Sequence, residues 1–184
     1  MHSREQILKA AVEVVCEVGL AEVTYRRVGN HLGIADRTVV YYFPTKVELI
    51  LAVLDVVAEK VGDAMSGMLE ERDLTVTQAM TGIWRSLAND ELNPYFAIYI
   101  ELVGLAVARK SPYDELPPRI YQYWIDWLEP RMAGPTDQRR AAAIAAFAQA
   151  DGLLLAHHQG HPEAAELGAQ YFIANPVTFT SPPD

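Results

Sequence analysis

The chain has a single cysteine, Cys16, among 184 residues, which excludes an internal disulfide and leaves no group of thiols to hold a metal. A reducing, cytoplasmic setting is the expectation that follows. Runs of alternating apolar and polar residues are nearly missing, which argues against a β-rich fold. Long apolar runs are missing too: the longest, Tyr95 to Ala108, is interrupted by Glu101 and is too short to span a bilayer, so no membrane is expected as partner. The polar opening MHSREQ leads into an amphipathic stretch, unlike the apolar core of a signal peptide. There is no phosphate loop, nucleophile elbow, HExxH or paired-carboxylate motif, so an enzyme is not expected, nor a cofactor. His157 and His161 in HHQGH stand four apart, but the helix is ending at Gly160 and no carboxylate or cysteine accompanies them, so no metal site is expected.

Positive charge is also scarce. Fifteen Lys and Arg face 24 Asp and Glu, a net charge of −9, which on its face disfavours a nucleic-acid partner. The distribution says otherwise. Residues 1–46 are nearly balanced, at +1, and the remainder carries −10. The first quarter of the chain can approach a polyanion; the rest cannot.

Just over half the residues are apolar, 51%, enough for a packed core, and their spacing is helical throughout. Ser3 and Gln6 form a capping box that opens a helix with Ile7, Ala11, Val14, Val15 and Val18 inward, ended by Gly19. A short helix follows Thr24, with Val28 and Leu32 inward, and Gly33 permits a turn at positive φ. Another spans about Asp36 to Tyr42, stopped by Pro44. Thr45 and Glu48 make a second capping box for a long helix toward Met68, with Val47, Ile50, Leu51, Leu54, Ala58 and Val61 inward. Five further helices are expected: one after Thr75, one from Pro94, one bearing Trp124 and Trp127, an alanine-rich one from about Thr136 to His158, and a last near Glu163 to Phe172. The total is about nine, in an all-α protein. Its expected divisions are 1–46, 47–174 and a loosely ordered tail, 175–184.

The segment DRTVVYYFPTK, residues 36–46, carries the chemistry. Two short helices joined through HLGIAD fit a helix-turn-helix, whose second helix enters the DNA major groove. Val39 and Phe43, four apart, can pack on Val28, Leu32 and Ile34. Arg37 and Tyr41 are then turned away from the core, with Thr38 and Tyr42 beside them. These side chains can bond phosphates or base edges. Lys46 and the helix N-terminus at Thr45 suit a phosphate, and Arg26 and Arg27 offer further phosphate contacts.

Residues 4–54 resemble the DNA-binding domain of the TetR family, the tetracycline-repressor-like bacterial regulators. The resemblance rests on Ile7, Ala11, Gly19, Thr24, Val28, Gly33, Thr38, Phe43 and Lys46 at matching spacing. It implies DNA contacts by Thr24, Arg26, Thr38, Tyr41, Tyr42 and Lys46, with Lys46 and Thr24 on phosphates; Arg26, Arg37 and Tyr41 are the candidates for reading bases. Three departures stand out. Ala35 replaces the usual capping serine, leaving Asp36 as candidate N-cap. Arg37 replaces a small residue. Val40 stands where tyrosine is most common.

The resemblance further implies a helical body that binds a small-molecule effector and dimerises. The helix over Ala141 to Ala156 is apolar around most of its circumference and must bury both sides. Pairing with its copy and with the last helix would give a four-helix, two-fold interface; an interior helix of a monomer is the alternative. An aromatic effector pocket is expected from Trp84, Tyr99, Trp124 and Phe147. Glu101 is either its polar anchor or the partner of an arginine or a backbone N–H. Cys16 is expected to pack inside. The expected function is a ligand-responsive transcriptional regulator, a repressor acting as a homodimer on palindromic double-stranded DNA. A regulator-like binder without DNA affinity, or an all-helical enzyme, are the alternatives.

Overall fold

A computed structural model describes residues 2–67 and 72–176. Among these are nine α-helices, and the pairing that most resembles a strand is one isolated bridge between Leu74 and Met132. The expected helix end at Met68 and most of the expected tail, from 177 on, lie outside the described residues. No helix among the described residues is long and apolar enough to cross a membrane.

The chain forms two compact units, Met1–Gly62 with Pro94–Pro117, and Asp63–Asn93 with Pro118–Asp184. The first holds α1 (Arg4–Val18), α2 (Tyr25–Leu32), α3 (Asp36–Tyr42), most of α4 (Lys46–Ser66), and α6 (Asn93–Val107) but for its first residue. Helix α1 opens on the expected capping box: the Ser3 and Gln6 side chains each accept from the other's backbone N–H, at 3.2 and 2.9 Å. Its buried face is Ile7, Ala10, Ala11, Val14 and Val15. Cys16 is exposed, not packed inside, because it sits two residues past Val14 and so is turned roughly 200° around the axis. Partial desolvation, then the Glu13 and Glu17 carboxylates, push its thiol pKa up.

Helix α4 buries Leu49, Ile50, Val53, Leu54 and Val57, whereas Val47, expected inside, is exposed. The helix is apolar around much of its circumference, so periodicity did not say which flank would face in. Its capping box is half formed. The Thr45 hydroxyl accepts from the Glu48 N–H at 3.2 Å, but the Glu48 carboxylate accepts from that hydroxyl rather than from the backbone.

The second unit holds α5 (Val76–Leu87), α7 (Pro117–Leu128) but for its first residue, α8 (Thr136–His158) and α9 (Pro162–Ala174). Thr75 and Gln78 form a full capping box at the start of α5, which buries Val76, Met80, Ile83 and Leu87 as its spacing predicts. Helix α8 packs on both α5 and α9. Its inner row is Ala142, Ala143, Ala146, Ala150, Leu153 and Leu154, small enough to let the neighbours come close. Arg140 on α8 reaches Glu129 at 2.7 Å and Asp126 at 3.1 Å, tying it to the end of α7.

Candidate nucleic-acid interface

Helix α2 is opened by Thr24, whose hydroxyl accepts from the Arg27 N–H at 3.2 Å. Gly33 closes it in the left-handed region, at φ +67°, where a side chain would be strained. The Ile34 N–H then donates to the Gly29 carbonyl at 2.9 Å, folding the turn back on the helix. The approach is so close that a methyl on Gly29 would come within 2.8 Å of the Ile34 carbonyl oxygen. Nothing in the residues around Gly29 marks it out; an isolated glycine in a helical pattern carries no signal of what lies against it.

Helix α3 hangs on two anchors, Val39 and Phe43, both with no exposed surface, as does Val28 of α2. The Arg4 guanidinium lies 4.6 Å from the Phe43 ring centre, a cation–π contact that fixes α1 against the end of α3. Ala35 occupies the N-cap of α3 with no side-chain hydrogen bond. Asp36 does not take over that role: it is the first helical residue, and its carboxylate accepts from the Arg37 N–H at 2.7 Å. A residue already in helical conformation cannot place its side chain where a cap must be.

With Val39 and Phe43 turned in, Arg37 and Tyr41 are turned out, Tyr41 with 78% of its surface exposed. Thr38 is half-buried, and Val40 is exposed. Tyr42 is half-buried; its hydroxyl donates to the His2 carbonyl at 2.9 Å and its ring meets Tyr41 edge-on at 5.0 Å. Thr24, Arg26 and Arg27 are exposed, with Arg27 paired to Glu22 at 3.0 Å. The Lys46 ammonium donates to the Ala21 carbonyl at 3.5 Å. Lys46 is thereby brought beside the segment that leads into Thr24.

That segment, the turn between α1 and α2, is held from the other side as well. Glu101 on α6 accepts from the Leu20 N–H at 2.7 Å and from the Ala21 N–H at 2.9 Å, one carboxylate oxygen for each. Glu101 is expected as an effector anchor or as the partner of an arginine or a backbone N–H. Its two oxygens are on backbone N–H groups, because the turn after α1 presents two consecutive amides with no helical acceptor. Gly19, at φ +86°, makes room: a methyl there would lie 2.7 Å from a Glu101 oxygen. The Tyr113 hydroxyl donates to the Leu20 carbonyl at 2.8 Å. Burial, and then the Glu101 charge, raise the Tyr113 pKa, keeping it a donor. Tyr113 was not singled out from the sequence; nothing local ties it to a turn 93 residues away.

Of the expected effector residues, Tyr99 on α6 is half-buried and packs against Phe96, at 5.6 Å between ring centres. The other aromatic ones belong to the second unit. Trp84 is buried and meets His157 edge-on at 5.7 Å. Trp124 is buried between Tyr123 and Trp127, and Phe147 meets Tyr121 edge-on at 5.4 Å. A groove of about 740 Å³ in this unit is lined by Trp84, Arg85, His157, Glu163, Glu166 and Leu167, among others. No group of three or more His, Cys, Asp or Glu suited to a metal occurs among the described residues.

Along α8, Ile144 and Leu155 are exposed, eleven residues or three helical turns apart on one face. On α9, Leu167 and Tyr171 are exposed at 68% and 65%, one turn apart.

Residues 7–53 match the model of the bacterial regulatory proteins of the tetR family. A curated relative, the HTH-type transcriptional regulator BetI 2 of Chromohalobacter salexigens, is 33% identical over 63 residues, 34% of this chain. The chain covers 30% of that relative's length. Solved structures share the fold at far greater coverage. A transcriptional regulator from Rhodococcus sp. Rha1 has a TM-score of 0.71 at 19% identity, over 94% of this chain and 95% of its own. The multidrug binding protein EbrR, complexed with imidazole, has a TM-score of 0.67 at 20% identity, over 96% of this chain and 92% of its own. Residues 7–53 thus match the DNA-binding part of the tetR-family bacterial regulatory proteins, and the chain as a whole shares the helical fold of these solved proteins.

Proposed function

We propose that the protein is a homodimeric transcriptional repressor that binds palindromic DNA through α3 and releases it on binding a small molecule. The observation that carries this reading is the division of α3 into an inward pair, Val39 and Phe43, and an outward pair, Arg37 and Tyr41. A seven-residue helix that exposes an arginine and a tyrosine one turn apart suits a major groove better than it suits plain solvent. Arg26, Arg37 and Tyr41 read bases, with Thr38 and Tyr42 beside them. Thr24, Arg27 and Lys46 hold phosphates, and the near-balanced charge of residues 1–46 allows the approach. In functional terms 1–46 bind DNA, 47–174 bind effector and partner, and 175–184 form the tail. Acting on chromosomal DNA, the protein works in the cytoplasm and needs neither cofactor nor membrane.

The homodimer is supported by Ile144, Leu155, Leu167 and Tyr171, apolar residues exposed on two helices that pack together. Covered by a second copy across a two-fold axis, they would form the core of a four-helix interface. Two α3 helices would then meet half-sites about 34–36 Å apart. For the effector, Trp84, Trp124 and Phe147 are the candidates within the second unit, apart from Tyr99 in the first, and EbrR, similar in fold, is a multidrug binding protein seen complexed with imidazole. An effector that prefers the conformer with the wrong half-site spacing lowers DNA affinity by linkage.

The test begins by selecting duplexes from a random pool with the wild-type protein, then titrating variants by fluorescence anisotropy. Lys46→Ala should weaken binding and lower the salt slope by about one. Tyr41→Ala should weaken it roughly tenfold or more, leave the slope unchanged and reduce discrimination between sequences. Wild-type affinity in both variants would sink the assignment.

A further inference from the structure

We infer that Glu101 is a positioning residue for DNA binding, a latch by which α6 sets the pose of the α1–α2 turn and, through it, of Lys46 and Thr24. The inference rests on the DNA-binding reading above and adds to it a residue that touches no DNA.

Side chains from three separate elements converge on Leu20 and Ala21. Glu101 takes the two amides, at 2.7 and 2.9 Å. Tyr113 donates to the Leu20 carbonyl, and Lys46 to the Ala21 carbonyl. The turn therefore has two of its carbonyls and two of its amides held by side chains remote in sequence. Two consecutive N–H groups around one anionic group make a concave site whose geometry a carboxylate satisfies with both oxygens. Gly19 is part of the fit, since any side chain there would displace the carboxylate.

The consequence follows from stiffness. Glu101 projects from the middle of a fifteen-residue helix, so a shift of α6 by even an ångström must stretch both bonds or carry the turn with it. Ala21 lies three residues before Thr24, the N-cap that sets the direction of α2. With the latch closed, the segment from Gly19 to Arg27 and the Lys46 ammonium are ordered before DNA arrives. With it open, that order must be imposed on binding, at a cost in affinity.

Glu101→Gln tests this in the full chain. The amide keeps the side chain's length but points an NH₂ at one of two backbone donors, so one bond is lost and two donors face each other. Affinity for a duplex selected by the wild type should fall about tenfold, with the salt slope unchanged because no phosphate contact is removed. Amide hydrogen exchange, measured without DNA, should accelerate at Leu20 and Ala21 while Val28 and Val39 keep wild-type rates. Tyr113→Phe, which deletes one hydroxyl from the same turn, should weaken binding in the same direction by about threefold. The double variant should lose less than the product of the two. Wild-type affinity in both variants overturns the latch. So does faster exchange spread through α2 and α3, which would make Glu101 a general support of the fold. If the wild type selects no duplex, the DNA-binding reading falls and takes the latch with it.

Discussion

Replacing Gly29 with alanine sets two effects against each other. In a helix interior the substitution ordinarily stabilises by up to about 1 kcal/mol. Here the added methyl would sit 2.8 Å from the Ile34 carbonyl oxygen and 3.3 Å from the Asp36 nitrogen, both backbone atoms that cannot swing aside. Overpacking of that kind costs about 1–3 kcal/mol, so Gly29→Ala should lower the urea midpoint and weaken DNA binding as α3 is pushed from α2. An unchanged midpoint would mean the turn yields more easily than its hydrogen bond from Ile34 suggests. At this scale the sequence was legible where a residue was odd in its surroundings. Glu101 within an apolar helix announced that it needed a partner, but not which one, because the partner is 81 residues away. Gly29 and Tyr113 announced nothing, since neither glycine nor tyrosine is unusual in a helical chain.

Caps and breakers made the elements readable. Ser3, Thr24 and Thr75 each accept the backbone N–H three residues on, and Gly19, Gly33 and Pro44 stand where the helices stop. Helix α3 lacks such a cap, with Ala35 at its N-cap and no side-chain bond there, as do α8 at Pro135 and α9 at His161. Ala35→Ser should supply one, to the Thr38 N–H, and stabilise the protein by about 1 kcal/mol in urea unfolding. The gain should fall somewhat below that figure because Thr38 already donates to the Ala35 carbonyl at 2.9 Å. No gain at all would mean that the Asp36 carboxylate, on the next amide, already does the work of a cap. What could not be read was the phase of α4. With Leu, Ile and Val on nearly every side, several faces satisfy the same period, and only the neighbouring helices choose among them.

For the molecule as a whole, the exposed apolar residues of α8 and α9 lead to a prediction about assembly. Ile144→Asp with Leu155→Asp places two charges where an apolar contact is proposed. Size-exclusion chromatography with light scattering should then report a dimer for the wild type and a monomer for the variant. DNA affinity should fall steeply, since one copy reaches only one half-site. A variant that stays dimeric would place the interface elsewhere. The composition of α8 pointed to a helix covered on both sides, but not to which side faces another chain. Nor did the sequence reveal that Pro94–Pro117 packs with the N-terminal helices. That grouping is made by contacts across eighty residues or more, which no local pattern encodes.

The hydrogen bond from Tyr42 to the His2 carbonyl bears on how the protein should be handled. It brings the backbone ahead of Ser3 to the edge of the α3 face, beside Tyr41. A purification tag or fluorescent protein fused in front of His2 would emerge at the α3 face proposed to enter the groove, where it should compete with DNA. Binding assays should therefore use chains labelled at the other end, or on the exposed thiol of Cys16.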